Sequence, residues 1–166
     1  MQADKSQGGV IGMLANNDDL KLTLFLRHPK KLKNAPRRSQ VVQGDVLDKK
    51  QLGSVVAGQD IVDANLTGED IDSQAKAIVE AMHAAKVKRL IFVASLGIYD
   101  EVPGKFGEWN RREMGGYLPP FRRAADFIEG SGLEPRNAMF APMTAENIET
   151  PDGLHFGSLL WAEEIQ

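Results

Sequence analysis

The stretch from Val87 to Tyr99, Val-Lys-Arg-Leu-Ile-Phe-Val-Ala-Ser-Leu-Gly-Ile-Tyr, constrains this chain more than any other. Leu90 to Ala94 is a short apolar run with no polar alternation. Such a run fits a strand covered on both faces, as in the middle of a parallel sheet flanked by helices. A small polar residue, Ser95, follows at once, then Gly97 and Tyr99. In open α/β sheets ligands sit just beyond the carboxyl ends of the strands. Ser95, Gly97 and Tyr99 therefore stand where chemistry or ligand contact is expected.

The 166 residues suffice for one domain, which would bury roughly two-thirds of its unfolded surface. A hydrophobic content of 42% and a charged content of 26% are ordinary for a soluble globular protein. No apolar run approaches the about 20 residues that span a bilayer, and the start, Met-Gln-Ala-Asp-Lys-Ser-Gln, lacks the apolar core of a secretory signal. The absence of cysteine excludes disulfides and thiolate metal sites and is compatible with a cytoplasmic location, which is the expectation. A net charge of −3 gives no overall reason to expect nucleic acid as a partner.

Elements alternate along the chain. Leu20 to Leu26 alternates and then turns apolar, which predicts a strand that Pro29 stops. Ser39 to Val46 is a further strand; Asp48 then suits the N-cap of a helix over Lys49 to Ala57, with Gly58 as its stop. Asp60 to Leu66 reads as the next strand, closed by Thr67 to Asp70. Ile71, Ala75, Ile78, Met82 and Ala85 recur at helical spacing and predict a helix from Asp70 to about Ala85. His83 has no partner at metal-ligand spacing, so no metal site is expected. This order is that of right-handed βαβ crossovers and a parallel sheet. After Tyr99, Asp100 to Asn110 reads as a long loop with aromatic content. A helix is expected over Phe121 to Glu129, with Pro120 suited to its first turn. From Pro135 onward clear period is lost, and Leu159 to Trp161 alone looks ready to pack.

Two stretches have a competing bland reading. Gly8, Gly9 and Gly12 could let backbone approach a pyrophosphate, but that needs a strand before and a helix after. A glycine-rich loop near a terminus explains them equally well. Arg27 follows a strand directly, where a cation in a dinucleotide fold can meet the 2′-phosphate of NADP. Lys30, Lys31, Lys33, Arg37 and Arg38 make the segment basic; without interleaved aromatics for stacking, they read as a solvated loop.

Gln43-Gly-Asp-Val46, Ala64-Asn-Leu-Thr-Gly-Glu-Asp70, Arg89 through Asn110 and Pro120-Phe-Arg-Arg-Ala-Ala-Asp126 carry a likeness. Through them the chain resembles the atypical short-chain dehydrogenase/reductase proteins of the NAD(P)H-binding, NmrA-like group, and within it the YhfK-like bacterial proteins. The resemblance is dense from Leu20 to Glu134. It implies one Rossmann-like α/β domain over residues 1–166, three-layered and mostly parallel, with its first and last strands open to being missing or degenerate. Residues 1–19 would be a degenerate phosphate-loop region and 135–166 an irregular tail.

Carried onto this sequence, the resemblance places Arg27 at the adenosine phosphate or ribose, and Asp45 and Val46 beside the adenine. Asn65, Leu66 and Thr67 would border the pyrophosphate and nicotinamide ribose. Ser95 would hydrogen-bond a substrate carbonyl, polarising it as hydride arrives, with Tyr99 the second catalytic candidate. The implied cofactor is NADP, with NAD open, and the substrate a small carbonyl or quinone. The chain departs from the pattern at Tyr-x-x-x-Lys, where lysine lowers the tyrosine pKa for proton transfer. Tyr117 has Phe121 at that spacing and Tyr99 has Pro103, leaving Arg122 or Arg123 as a cation nearby. The expected activity is NAD(P)H-dependent oxidoreduction. The alternatives are a non-catalytic NAD(P)-binding sensor with a protein partner, or a truncated Rossmann core that binds cofactor weakly.

Overall fold

The computed structural model describes residues 20–32, 39–133 and 138–142. Five strands run through them: β1 (Thr23–Leu26), β2 (Gln40–Gln43), β3 (Ile61–Ala64), β4 (Arg89–Ala94) and β5 (Ala138–Pro142). The helices are α1 (Lys49–Val56), α2 (Ile71–Ala85), α3 (Gly104–Met114) and α4 (Leu118–Glu129), with a 3₁₀ turn at Pro29–Lys31. All pairings are parallel: β1 with β2, and β4 between β3 and β5. The α/β Rossmann-like expectation therefore holds.

Local chemistry explains the element ends. The Asp48 side chain accepts the amides of Lys50 and Gln51, giving donors at the start of α1 the partner they would otherwise lack. Helix α2 ends on Lys86 in the left-handed region, at φ 60°, while Val87 N donates back to Met82 O at 2.9 Å. That turn sends the chain straight into β4.

The core lies where α2 covers the sheet, packed against α1 on one side and α4 on the other. Ile71, Ala75, Ile78, Val79 and Met82 of α2 are buried with Leu90, Phe92 and Ala94 of β4 and with Ala124, Ala125 and Ile128 of α4. The β4 run is not buried equally on both sides. Leu90, Phe92 and Ala94 are buried, whereas Ile91 and Val93 are half-buried, so an unalternating sequence conceals an alternating environment.

Several expectations shift. The strands are shorter than their apolar runs, because pairing ends where the chain turns at Arg27, Gly44 and Asn65. The expected loop Asp100–Asn110 is helical from Gly104 onward, and the helix expected at Phe121 already starts at Leu118. The expected irregular run from Pro135 contains β5, whose order comes from its ladder with Leu90–Ala94 and not from any period of its own. Gly8, Gly9, Gly12 and Leu159–Trp161 lie outside the described residues.

Phe92 is fully buried at the centre of this packing. Phe92→Ala is expected to lower the unfolding free energy by about 3–5 kcal/mol, read by urea denaturation. A loss below about 1 kcal/mol would mean that β4 does not centre the core.

Candidate functional site

Parallel pairing brings the carboxyl ends of β1 and β2 to one edge, and likewise those of β3, β4 and β5. At the end of β1, Arg27 Nε lies 3.2 Å from Asp45 Oδ2, and both side chains are about half exposed, at 50% and 45%. Gln43 Nε2 donates to Arg27 O and Gly44 N to Leu26 O, closing the two strand ends together. The second Asp45 oxygen accepts Leu47 N at 2.9 Å, which orients the carboxylate.

Among the described residues β1 and β3 share no ladder, and a cleft opens between them. Thr23 and Phe25 form one wall and Ile61 to Leu66 the other, over Leu52, Val56 and Ile78. Val46, Asn65 and Leu66 all line it, so a residue that the resemblance gives to the adenine and two that it gives to the pyrophosphate and nicotinamide ribose share one cleft. Thr67, Ser95 and Tyr99 are not in its lining. Asp63 lines it too, and burial of its carboxyl raises the pKa above the ordinary value. The loop after Thr67 is fixed by buried Gln74, whose Nε2 donates to Thr67 O at 3.2 Å and Asp70 Oδ1 at 2.8 Å.

Ser95 is half-buried at the end of β4, and its hydroxyl has no partner among the described residues. The Asn65 side chain is in the same condition. A half-buried polar group without a protein partner is available to a ligand. The backbone after Ser95, in contrast, is heavily tied. Glu101 Oε1 accepts Gly97 N at 2.6 Å and Oε2 accepts Tyr99 N at 2.9 Å. Asn110, buried on α3, donates from Nδ2 to Leu96 O at 3.1 Å, and Arg122 Nη1 donates to Ile98 O at 3.1 Å. Gly97 has φ +92°, and a Cβ there would strike the Asn110 amide. Glycine is required here on both counts.

Tyr99 differs from a lysine-activated tyrosine. Its hydroxyl donates to Glu129 Oε1 at 2.7 Å, and the Arg122 guanidinium sits 4.2 Å from the ring centroid. Burial, the Glu129 hydrogen bond and the Glu129 charge push the phenol up to about 12, against which Arg122 pulls only weakly. Of the two arginines proposed as a nearby cation, Arg122 reaches the ring of Tyr99, while Arg123 is paired with Asp72 at 2.8 Å. Tyr117 is exposed at 65%. Glu101, Asn110, Glu129 and Asp63 escape sequence reasoning because each is a common polar residue in an unremarkable local context. The strand-end position that marks Arg27 and Ser95 has no counterpart for them.

A family model described as NAD(P)H-binding matches residues 8–134. The chain belongs to this NAD(P)H-binding family. A Rossmann-fold NAD(P)-binding family protein from Shigella flexneri is 51% identical, over 75% of this chain and 56% of that one, with a TM-score of 0.60. A short-chain dehydrogenase/reductase from Veillonella parvula, solved in complex with NADP, is 22% identical over 75% and 59%, with a TM-score of 0.68. An NADPH-dependent quinone oxidoreductase from Escherichia coli, complexed with NADPH, is 17% identical over 76% and 42%, with a TM-score of 0.55. The chain thus spans less than two-thirds of each of these solved chains. Among curated proteins none matches significantly. No helix among the described residues is long and apolar enough to cross a membrane, and no group of side chains among them could hold a metal ion.

The Tyr99 phenol is expected to titrate near pH 12, against an ordinary value of 10.0, as read from the difference between phenolate absorbance of the wild type and Tyr99→Phe. Because the folded state holds this proton more tightly, the stability linked to it is complete below pH 10 and lost as pH rises toward about 12. Glu129→Gln should bring the midpoint down. A Tyr99 midpoint at or below 10 would refute the Glu129 contact.

Proposed function

We propose that the chain is an NAD(P)H-dependent oxidoreductase that prefers NADP and reduces a small carbonyl or quinone-type substrate. It would belong with the NmrA-like, YhfK-like branch of its family. The observation that carries the proposal is the half-buried hydroxyl of Ser95 at the carboxyl end of β4, which has no partner among the described residues. A donor held there can meet a carbonyl oxygen and stabilise the charge that gathers as the carbon is reduced.

The residues present fit a dinucleotide. Val46, Asn65 and Leu66 line one cleft, and Arg27, a half-exposed cation at the end of β1, would be the group that meets a 2′-phosphate. Guanidinium geometry matches a phosphate with two parallel donors. A bound nicotinamide would supply the hydride, and this chain's residues would bind and orient it. Asn65 and Thr67 would hold the ribose side, Gly8, Gly9 and Gly12 would lie toward the pyrophosphate, and Ser95 would face the substrate. Tyr99 would border the substrate as a neutral phenol, since its proton is shared with Glu129 at ordinary pH. A cytoplasmic location fits this chemistry.

A second reading is a non-catalytic NAD(P)-binding sensor with a protein partner. It is favoured by the same Tyr99 geometry, which raises the phenol pKa where a working proton donor would have it lowered. A truncated Rossmann core with weak cofactor affinity stands behind both.

Fluorescence titration of the protein with NADPH and NADH, followed by NADPH oxidation with quinones, aldehydes and ketones, distinguishes these readings. Saturable NADPH binding tighter than NADH is expected, with Arg27→Ala costing about 10- to 100-fold for NADPH and little for NADH. Ser95→Ala should lower kcat by about 100-fold with NADPH binding kept. Binding without oxidation of any acceptor would favour the sensor. No binding of either cofactor at millimolar concentration would sink both.

A further inference from the structure

The backbone of Leu96 to Tyr99 is held by side chains of its own turn and of two helices, beside a backbone bond from Asp100 N to Gly97 O at 3.2 Å. Glu101 takes the amides of Gly97 and Tyr99, Asn110 of α3 serves the Leu96 carbonyl, and Arg122 of α4 serves the Ile98 carbonyl. Ser95 stands between two fixed points. On one side is Ala94, registered on Pro142 of β5; on the other is Gly97, bound to Glu101. Its own side chain makes no bond that would orient it among the described residues. What fixes the direction of that hydroxyl is therefore the path of the backbone around it.

We propose that Glu101 is a positioning residue: its two carboxylate oxygens clamp the turn after β4 and so aim Ser95 at the substrate. The assignment rests on the oxidoreductase reading above for its functional half. Bidentate capture of two amides two residues apart needs both oxygens as acceptors, which a carboxylate provides and a carboxamide does not. Bonds of this kind to an ionised acceptor are shorter and about twice as strong as neutral ones, in keeping with the 2.6 Å separation to Gly97. Burial would raise the Glu101 carboxyl, but its own amide, those of Gly97 and Tyr99, and the Arg122 charge outweigh that and hold it below the usual carboxylate range. The clamp is accordingly set at neutral pH. Asn110 Nδ2 holds the Leu96 carbonyl, and a Cβ at Gly97 would strike that amide, so glycine permits the close approach.

The test uses Glu101→Ala and Glu101→Gln in the full chain, with amide hydrogen exchange by NMR and NADPH-dependent reduction of a water-soluble benzoquinone. In Glu101→Ala the Gly97 and Tyr99 amides should exchange at least about tenfold faster, while Leu90 to Val93 of β4 keep their protection. The Gln variant should protect at most one of the two amides. Glu101→Ala should lower kcat by about 10- to 100-fold with the NADPH dissociation constant and the quinone KM nearly unchanged, and Glu101→Gln should recover part of that loss. Should Glu101→Ala fail to fold, the Gln variant carries both measurements. Unchanged exchange at Gly97 and Tyr99 would overturn the clamp. Faster exchange with kcat intact would overturn its role in aiming Ser95. An inactive wild-type protein would instead overturn the proposed reaction, and the amides would still decide the clamp.

Discussion

Parallel pairing of β4 between β3 and β5 governs this molecule, since parallel neighbours cannot be joined by tight turns. Each pairing obliges the chain to cross back over the sheet, and α2 is the crossover that returns β3 to β4. Its apolar stripe then lies directly on Leu90, Phe92 and Ala94, so the connection and the core are the same object. Burial of a side chain as large as Phe92 contributes on the order of 2–3 kcal/mol, a large fraction of the stability of any small domain. Val46, Asn65 and Leu66, distant in sequence, line one cleft between β1 and β3.

Much of this was legible because it rests on local rules. The Asp48 cap and the period of Ile71 to Ala85 each announce a helix without help from the rest of the chain. Helix α3 was not legible. Gly104 and Gly107 lower its propensity, and its surface is mostly charged. What forms it is tertiary: Gly107 passes so close to the Val102 carbonyl that a Cβ could not fit, and Asn110 reaches the Leu96 carbonyl. Strand β5 was hidden for a similar reason, because a ladder with β4 supplies order that five residues could not declare alone.

At the site, position along a strand was the readable signal and side-chain company was not. Arg27 and Ser95 stand out because each directly follows a strand. Glu101 looks like one more charged loop residue until the turn folds around it. Tyr99 shows the limit most clearly. The sequence reveals that no lysine lies four residues on, but not that a carboxylate would take its place at the hydroxyl. A lysine beside a phenol stabilises the phenolate; a carboxylate accepting its proton stabilises the phenol. Arg122 does not reverse this, because it lies over the ring face, with its guanidinium also tied to Asp126 and the Ile98 carbonyl. Polarisation of a substrate carbonyl thus falls, on the proposed reading, to Ser95.

The pairing of Arg27 with Asp45 bears on cofactor preference in a way opposite to first appearance. An acid beside the cation would seem to spoil a site for a 2′-phosphate. Both side chains are about half exposed, however, at 50% and 45%, and an ion pair in that setting is worth only about 0–1 kcal/mol. A doubly bonded guanidinium–phosphate contact is worth more than that, so the arginine can exchange partners at small cost. Asp45 meanwhile pairs with the cation at the strand end and is itself tied by Leu47 N. An arginine without such a partner would lose more side-chain entropy on binding. On the proposed reading, the ion pair would hold Arg27 ready for a phosphate more than compete with one.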